Sequence, residues 1–126
     1  AKIPGFYPAI IVPKAIEIGG QIQATFSKAY KAGVKVAFGT DAAVFAHGKN
    51  YMEFQYMVEG GMPALETIKC ATLNADEMMG MKKTMGSIEV DKLADIIAID
   101  GDPTVDIKAM KNVVFVMKDG IVYKTK

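Results

Sequence analysis

The first third of the chain places its apolar side chains with the period of a helix. They recur at spacings of three and four, at Ile22, Phe26, Ala29 and Tyr30. This pattern predicts a helix over residues 14–31 that stops at Gly33. Because glycine is a poor helix former, the pair Gly19–Gly20 predicts a break of this helix into two pieces.

A different pattern follows at residues 34–38, where the run VKVAF lies between two glycines. A short apolar run with such boundaries predicts a buried strand, and this one leads directly into Gly39, Thr40 and Asp41. Further along, Asn50 and Glu53 have the spacing of a capping box. They predict a helix that begins at Asn50 and reaches about residue 59.

The second half of the chain changes from helical to β character. Two short helices are predicted over residues 63–70 and 74–79, the second closed by Gly80. The run DIIAID at residues 95–100 predicts a strand. The run VVFVMKDGIVYK predicts a hairpin, because Asp119-Gly120 suits a two-residue type I′ turn. The chain should therefore divide near residues 80–86, into an α/β part and a β part.

Composition narrows the class of protein. The 126 residues are 51% hydrophobic and 23% charged, as expected of a folded domain. A net charge of +1, with both signs interspersed, indicates neither nucleic acid nor a membrane as partner, and the apolar runs are too short to span a bilayer. The single Cys70 excludes an intrachain disulfide and a Cys-based zinc cluster. We expect it, like most of the methionines, to be a buried apolar contact.

Asp41 is the first candidate for chemistry, because it comes directly after the predicted strand. In α/β folds the carboxyl ends of strands are where ligands and catalytic groups collect. A carboxylate there can ligate a divalent metal and accept a proton from a bound water. The alternative is an aspartate whose oxygens accept hydrogen bonds from backbone amides in a tight loop. Spacing alone favours the loop role.

His47 is the sole histidine of the chain and shares a loop with Asp41. A zinc site needs three or four protein ligands, so one histidine cannot build it. The default interpretation is a solvent-facing loop residue. The other is a residue that contacts substrate at the same edge of the fold as Asp41.

Several motifs follow one another along the chain. They are GTD at residues 39–41, HGKN at 47–50, GMPALETIKCATLNA at 61–75, GSIEVDKLADIIAIDGDP at 86–103 and the hairpin VVFVMKDGIVYK at 113–124. In this order they closely resemble the C-terminal part of metal-dependent amidohydrolases, in the branch of imidazolonepropionase-like and Xaa-Pro dipeptidase-like enzymes. The resemblance covers nearly the whole chain, and the combination of motifs is far more specific than GTD alone.

The resemblance implies a fold, a (β/α)8 TIM barrel joined to a small β-sandwich. Residues 1–80 would be the C-terminal part of the barrel, with 34–38 as its last strand, and residues 81–126 the C-terminal strands of the sandwich. It also implies that Asp41 ligates the metal and acts as general base on a metal-activated hydroxide that attacks an amide carbonyl. His47 and Asn50 would bind substrate. The metal would be one or two divalent ions, with zinc as the expected identity.

One departure from the family is large, because its His-x-His pair and its other metal ligands are absent from this sequence. We therefore expect a segment of a longer hydrolase that cleaves an Xaa-Pro or similar dipeptide, and no activity from the segment alone. A cyclic-amide substrate and a non-catalytic module that acts through a partner are the alternatives. The expected associations are a small-molecule or dipeptide substrate and either self-association or a missing N-terminal portion of the same protein. The compartment stays open between cytoplasm and periplasm or secretion.

Overall fold

The structure is a computed structural model that describes residues 8–42 and 46–126. The chain forms two compact units, Ala1–Val34 and Lys35–Lys126. The boundary near residue 80 that the sequence suggests, between a barrel part and a sandwich part, stays a prediction.

The first unit consists mainly of one helix, α1 (Val12–Lys31), with Pro13 in its first turn. Its end agrees with the prediction, since Gly33 adopts a φ of +79° and its N–H donates to the Tyr30 carbonyl at 2.9 Å. The predicted break at Gly19–Gly20 is wrong, because the helix runs through both glycines. A glycine costs a helix interior only about 1 kcal/mol, which lowers stability without forcing a break.

Three short helices begin the second unit: α2 (Met52–Glu59), α3 (Ala64–Cys70) and α4 (Leu73–Met79). The last two confirm the sequence prediction to within one residue. Gly80 closes α4 with a φ of +72°, a left-handed conformation that glycine adopts without a steric penalty. Neighbouring helices pack in order, α2 on α3 and α3 on α4.

A three-stranded antiparallel sheet ends the chain, with strands β1 (Ile96–Ile99), β2 (Val113–Lys118) and β3 (Ile121–Lys124) in the order β1-β2-β3. The predicted strand at residues 95–100 and the predicted hairpin at residues 113–124 are both confirmed. Asp119 and Gly120 have φ values of +50° and +76°. Positive φ at both central residues is the signature of the type I′ turn that the Asp-Gly pair predicts.

The core of the second unit lies between α2 and a short 3-10 helix, Ile107–Lys111, that connects β1 to β2. Phe54, Ile107 and Met110 form its centre. Cys70 is only 2% exposed, so its predicted place as a buried apolar contact is confirmed. The same prediction holds for Met57 and Met62, which are buried, but it is wrong for Met78, Met79 and Met81, which are exposed.

The predicted buried strand at residues 34–38 is wrong: the described structure has no strand there, and none of these residues is fully buried. A parallel strand needs neighbouring strands to pair its backbone groups. Here those groups bond to helices instead, since the Phe38 N–H donates to the Cys70 carbonyl at 2.9 Å and the Val36 carbonyl accepts from Asn74 Nδ2 at 3.0 Å. The fold is therefore mixed α/β with a small antiparallel sheet.

None of the helices in the described part of the chain combines the length and the apolar character that crossing a bilayer requires.

Candidate functional site

The segment that leads to Asp41 is held against the helices of the second unit. Besides the hydrogen bond from Phe38 to Cys70, the Phe38 ring lies on the Phe54 ring of α2, with a centroid separation of 4.4 Å and an interplanar angle of 31°. Such aromatic pairs contribute about 1 kcal/mol beyond the area they bury. Three residues before Asp41, the backbone is thus fixed by contacts with both α2 and α3.

Asp41 itself is exposed and has a φ of +48°. A residue other than glycine in this left-handed region is uncommon, although aspartate and asparagine tolerate it better than most. The conformation turns the chain sharply just after the fixed segment. Strained backbone of this kind is concentrated at functional sites, where the surrounding structure maintains it.

The carboxylate of Asp41 makes no hydrogen bond to any other residue within the ranges 8–42 and 46–126. The alternative role proposed from its spacing, an acceptor for loop amides, therefore finds no donor there. Residues 43–45 of the same loop lie outside the described part. The Asp41 carboxylate is exposed, and the backbone three residues before it is held by α2 and α3. Such a carboxylate can act as a metal ligand or as a general base.

His47 lies in a turn and is exposed. No set of three or more His, Cys, Asp or Glu side chains among the residues that the structure describes could hold a metal ion. A carboxylate such as Asp41 suits a divalent metal as one ligand, but a zinc centre needs three or four. The described residues thus form no complete metal site, and the role of Asp41 as a metal ligand stays a prediction.

Asn50 is the one predicted site residue that the structure connects to the neighbourhood of Asp41. Its Nδ2 donates to the Thr40 hydroxyl at 3.0 Å, and both side chains are partly buried. The predicted capping box is wrong: α2 begins at Met52 after the N-cap residue Tyr51, with no side-chain cap. Asn50 lies one residue before the N-cap, and its side chain donates to Thr40.

Thr40 is the residue next to Asp41 that sequence reasoning missed. The only sequence signal for Thr40 is a hydroxyl next to a candidate acid in the GTD motif. Glu53, in the first turn of α2, is half-buried, and burial raises the pKa of its carboxyl. Glu53 is the second residue of the predicted capping box, but the Asn50 side chain donates its hydrogen bond to Thr40.

Comparisons with known proteins agree on one family. A model of the amidohydrolase family matches residues 2–125. Over 104 residues the chain is 40% identical to an ochratoxinase from Aspergillus niger, which covers 79% of this chain and 21% of that protein. A 5-methylthioadenosine/S-adenosylhomocysteine deaminase from Thermoanaerobacter pseudethanolicus is 38% identical over 82 residues, 57% of this chain and 19% of the relative.

Solved structures give the same result. An Xaa-Pro dipeptidase with methionine bound in its active site is 51% identical, with a TM-score of 0.89 over 98% of this chain and 30% of the dipeptidase. A prolidase complexed with N-methylphosphonate-L-proline is 28% identical, with a TM-score of 0.82 over 94% of this chain and 30% of the prolidase. The chain thus spans less than a third of the length of each of these proteins.

Proposed function

The chain belongs to the amidohydrolase family, and we propose that it is the C-terminal part of a metal-dependent hydrolase that cleaves the peptide bond of an Xaa-Pro or similar dipeptide. The observation that carries this proposal is Asp41, an exposed carboxylate in a strained turn at the end of a segment fixed to the helices. The 51% identity to an Xaa-Pro dipeptidase over 98% of this chain supports the choice of substrate.

In this proposal Asp41 has two roles, as one metal ligand and as the general base. It takes a proton from the attacking water and hands it to the leaving nitrogen, as a base of this kind must when an amide is cleaved. The metal, for which we propose zinc, would supply Lewis-acid activation of that water. His47 and Asn50 would line the substrate pocket beside it.

The family's remaining metal ligands would come from a part of the protein outside these 126 residues, which would also complete a barrel around residues 34–40. We therefore propose that the chain has no hydrolase activity alone. The many exposed apolar side chains of the second unit support this, since Ile88, Val90 and Val105 are each more than 80% exposed. Such surfaces mark contacts with another part of the protein or with a second copy.

The test compares the 126-residue chain with the full-length protein from the same gene. Both would be assayed on Xaa-Pro dipeptides, on other dipeptides, on N-acyl amino acids and on cyclic amides, before and after treatment with a metal chelator. We expect turnover of an Xaa-Pro or similar dipeptide by the full-length protein, loss on chelation, recovery with zinc, and none of this from the chain alone. If only an N-acyl amino acid or a cyclic amide is turned over, the proposed substrate is wrong, but the proposed metal-dependent mechanism stands.

A non-catalytic module that acts through a partner is the alternative from another class. Size-exclusion chromatography with light scattering separates it from the first proposal. A monodisperse monomer of the 126-residue chain, combined with a full-length protein that is inactive on the whole panel, would favour the module. Self-association of the chain, combined with an active full-length protein, would favour the hydrolase.

A further inference from the structure

The second unit contains a cavity of about 570 Å³ that does not include Asp41, His47 or Asn50. Its size is that of a small-molecule site. Helices α2–α4, residues 85–95 and strand β1 form its walls, and most of the lining side chains are apolar, among them Phe54, Ile68, Met85, Leu93, Ile96 and Ile99. Such walls suit either a wholly apolar ligand or the apolar stem of a ligand with a polar head. The polar groups that line the cavity distinguish between the two.

Most of the charged groups at the cavity already have partners. Lys92, whose side chain is 12% exposed, donates to Ser87 Oγ at 2.5 Å and forms an ion pair with Glu89 at 3.3 Å. Asp95 accepts from the Asp119 N–H at 2.7 Å and from Lys118 Nζ at 3.3 Å. These groups gain little from a ligand, because their charges are compensated within the protein.

Asp76 is the exception among the charged residues that line the cavity. The residue is 4% exposed, and its Oδ2 has no hydrogen-bond partner within the described part of the chain. The carboxylate lies against Gly86, where a Cβ would come within 1.7 Å of Oδ2. A buried carboxylate oxygen without a donor is costly, so native structures almost always provide one. Oδ2 is covered by Gly86, but Asp76 lines the cavity, so a donor that enters the cavity can approach its carboxylate group.

We propose that the cavity binds a primary ammonium or a guanidinium group on an apolar stem, with the cation paired with the carboxylate group of Asp76. A charged donor satisfies a carboxylate better than a neutral one does. Because Glu89 is paired with Lys92 and Asp95 with Lys118, Asp76 is the one acid among the described lining residues without a basic partner, so the cavity attracts cations over anions. The apolar walls bury the stem of the ligand.

Two sources can supply this chemistry: a free amine, or a lysine or arginine side chain from a part of the full-length protein outside these 126 residues. Both place a cation at the same carboxylate group, but they differ in whether the full-length protein still has an open site. The proposal does not depend on hydrolase activity, so its test can fail while the proposed function stands, and the reverse.

The probe is n-pentylammonium chloride, with n-pentanol as the neutral ligand of similar length. Calorimetry or ligand-observed NMR would measure binding to the 126-residue chain and to the full-length protein. We expect the chain to bind the ammonium at least tenfold more tightly than the alcohol. Binding to both proteins would identify a free-ligand site, whereas binding to the chain alone would identify a side chain of the larger protein as the occupant. Equal binding of ammonium and alcohol, or no binding to either protein, would overturn the proposal.

Asp76→Asn keeps the shape of the side chain and removes its charge, so the preference for the ammonium should disappear. Asp91→Asn is the matched control, because Asp91 is exposed and does not line the cavity. Ala71→Leu adds apolar bulk at the wall of the cavity and should abolish binding of both probes. Full retention of ammonium binding by a folded Asp76→Asn variant, or by a folded Ala71→Leu variant, would contradict the site.

Discussion

The Asn50 side chain ties the start of α2 to Thr40, the residue immediately before Asp41, through the 3.0 Å hydrogen bond from Nδ2 to Oγ1. One end of this bond lies two residues before Met52, where α2 begins, and the other lies two residues after Phe38. Phe38 also packs on Phe54 of α2. The residues before Asp41 therefore contact both α2 and the residue two positions before its start.

Thr40→Val should lower kcat of the full-length protein by about tenfold to a hundredfold, since small displacements of a catalytic group have effects of this size. Valine keeps the shape of threonine but cannot accept the hydrogen bond. Asn50→Ala should lower kcat similarly and, if Asn50 also contacts substrate, raise KM. The double variant should have a kcat no lower than the worse single variant, because both changes remove the same bond.

Thr40→Ser, which keeps the hydroxyl, should restore kcat. Asn112→Ala is the stability control: Asn112 Nδ2 donates to the Asp100 carbonyl at 3.3 Å in the loop between β1 and β2, so the variant loses a similar bond elsewhere. An unchanged kcat in Thr40→Val would show that the bond has no part in placing Asp41. Metal content measured on the same samples gives a second readout, independent of turnover.

Asp41→Asn should leave the fold and the melting temperature nearly unchanged and remove most of the turnover, by about 10²-fold or more, because the amide cannot act as a base. Near-normal kcat in this variant would refute the proposed function itself. If Asp41→Asn is inactive while Thr40→Val is normal, only the positioning by Thr40 and Asn50 fails.

Asp41→Gly tests the backbone strain separately from the chemistry. Glycine adopts a φ of +48° freely, so we expect the free energy of unfolding to rise by about 1 kcal/mol while activity is lost. Asp119→Gly is the matched control, since Asp119 has a φ of +50° in the hairpin turn, away from the proposed site. It should give a similar gain with no loss of activity. If the free energy of unfolding rises only in Asp119→Gly, contacts of the Asp41 side chain stabilise its positive φ.

Features fixed by local backbone geometry were the ones the sequence could predict. The turn at Asp119-Gly120 and the helix end at Gly80 each require a positive φ, and the residues that adopt it are easily recognised. The hairpin β2–β3 and the helices α3 and α4 were therefore predicted correctly. The order of motifs also identified the family, because motif order is read from the sequence and does not depend on contacts in the fold.

Features that depend on distant partners could not be predicted in this way. The capping box failed because α2 begins at Met52, after the N-cap Tyr51, while the Asn50 side chain donates to Thr40, ten residues earlier. The strand at residues 34–38 failed because the only sheet in the described part of the chain is β1-β2-β3, and the backbone of this segment bonds to helices instead. Asp76 was missed entirely, since nothing in LNADEMM shows that its carboxylate is buried against Gly86.

Asp95 should make the sheet sensitive to acid. The Asp119 N–H, and after it Lys118, hold the pKa of the Asp95 carboxyl below its ordinary value of 3.8. The unfolded chain therefore binds more protons near that pH, so the contribution of Asp95 to stability is present above it and is lost as the pH falls through the lower, folded-state pKa. Melting temperatures of the wild type and of Asp95→Asn should differ at pH 6 and converge below pH 3.8.

Lys118→Met separates the two causes of this pKa shift. The variant keeps the Asp119 N–H, the larger cause, so most of the acid sensitivity should remain. A constant difference between the wild type and Asp95→Asn across the whole pH range would show that the charge of Asp95 has no part in stabilising the hairpin.

Gly86→Ala should be the most destabilising single methyl addition among the glycines with a positive φ. Residue 86 has a φ of +85°, and its Cβ would lie 1.7 Å from Oδ2 and 2.7 Å from Cγ of Asp76, which is buried and cannot move aside freely. Gly120→Ala is the matched control, because it has a φ of +76° and nothing within 4 Å of the added Cβ. Backbone strain alone should cost Gly120→Ala about 1–2 kcal/mol, and Gly86→Ala should exceed this by a further ~2 kcal/mol in urea unfolding.

The double variant Asp76→Ala/Gly86→Ala decides whether the carboxylate causes the excess. Removing it eliminates both the clash and an unpaired buried oxygen, so the double variant should be more stable than Gly86→Ala alone. Its loss of stability should fall to about that of Gly120→Ala, since only the backbone strain at residue 86 remains. A double variant as unstable as Gly86→Ala would mean that the carboxylate of Asp76 does not lie against Gly86 in solution.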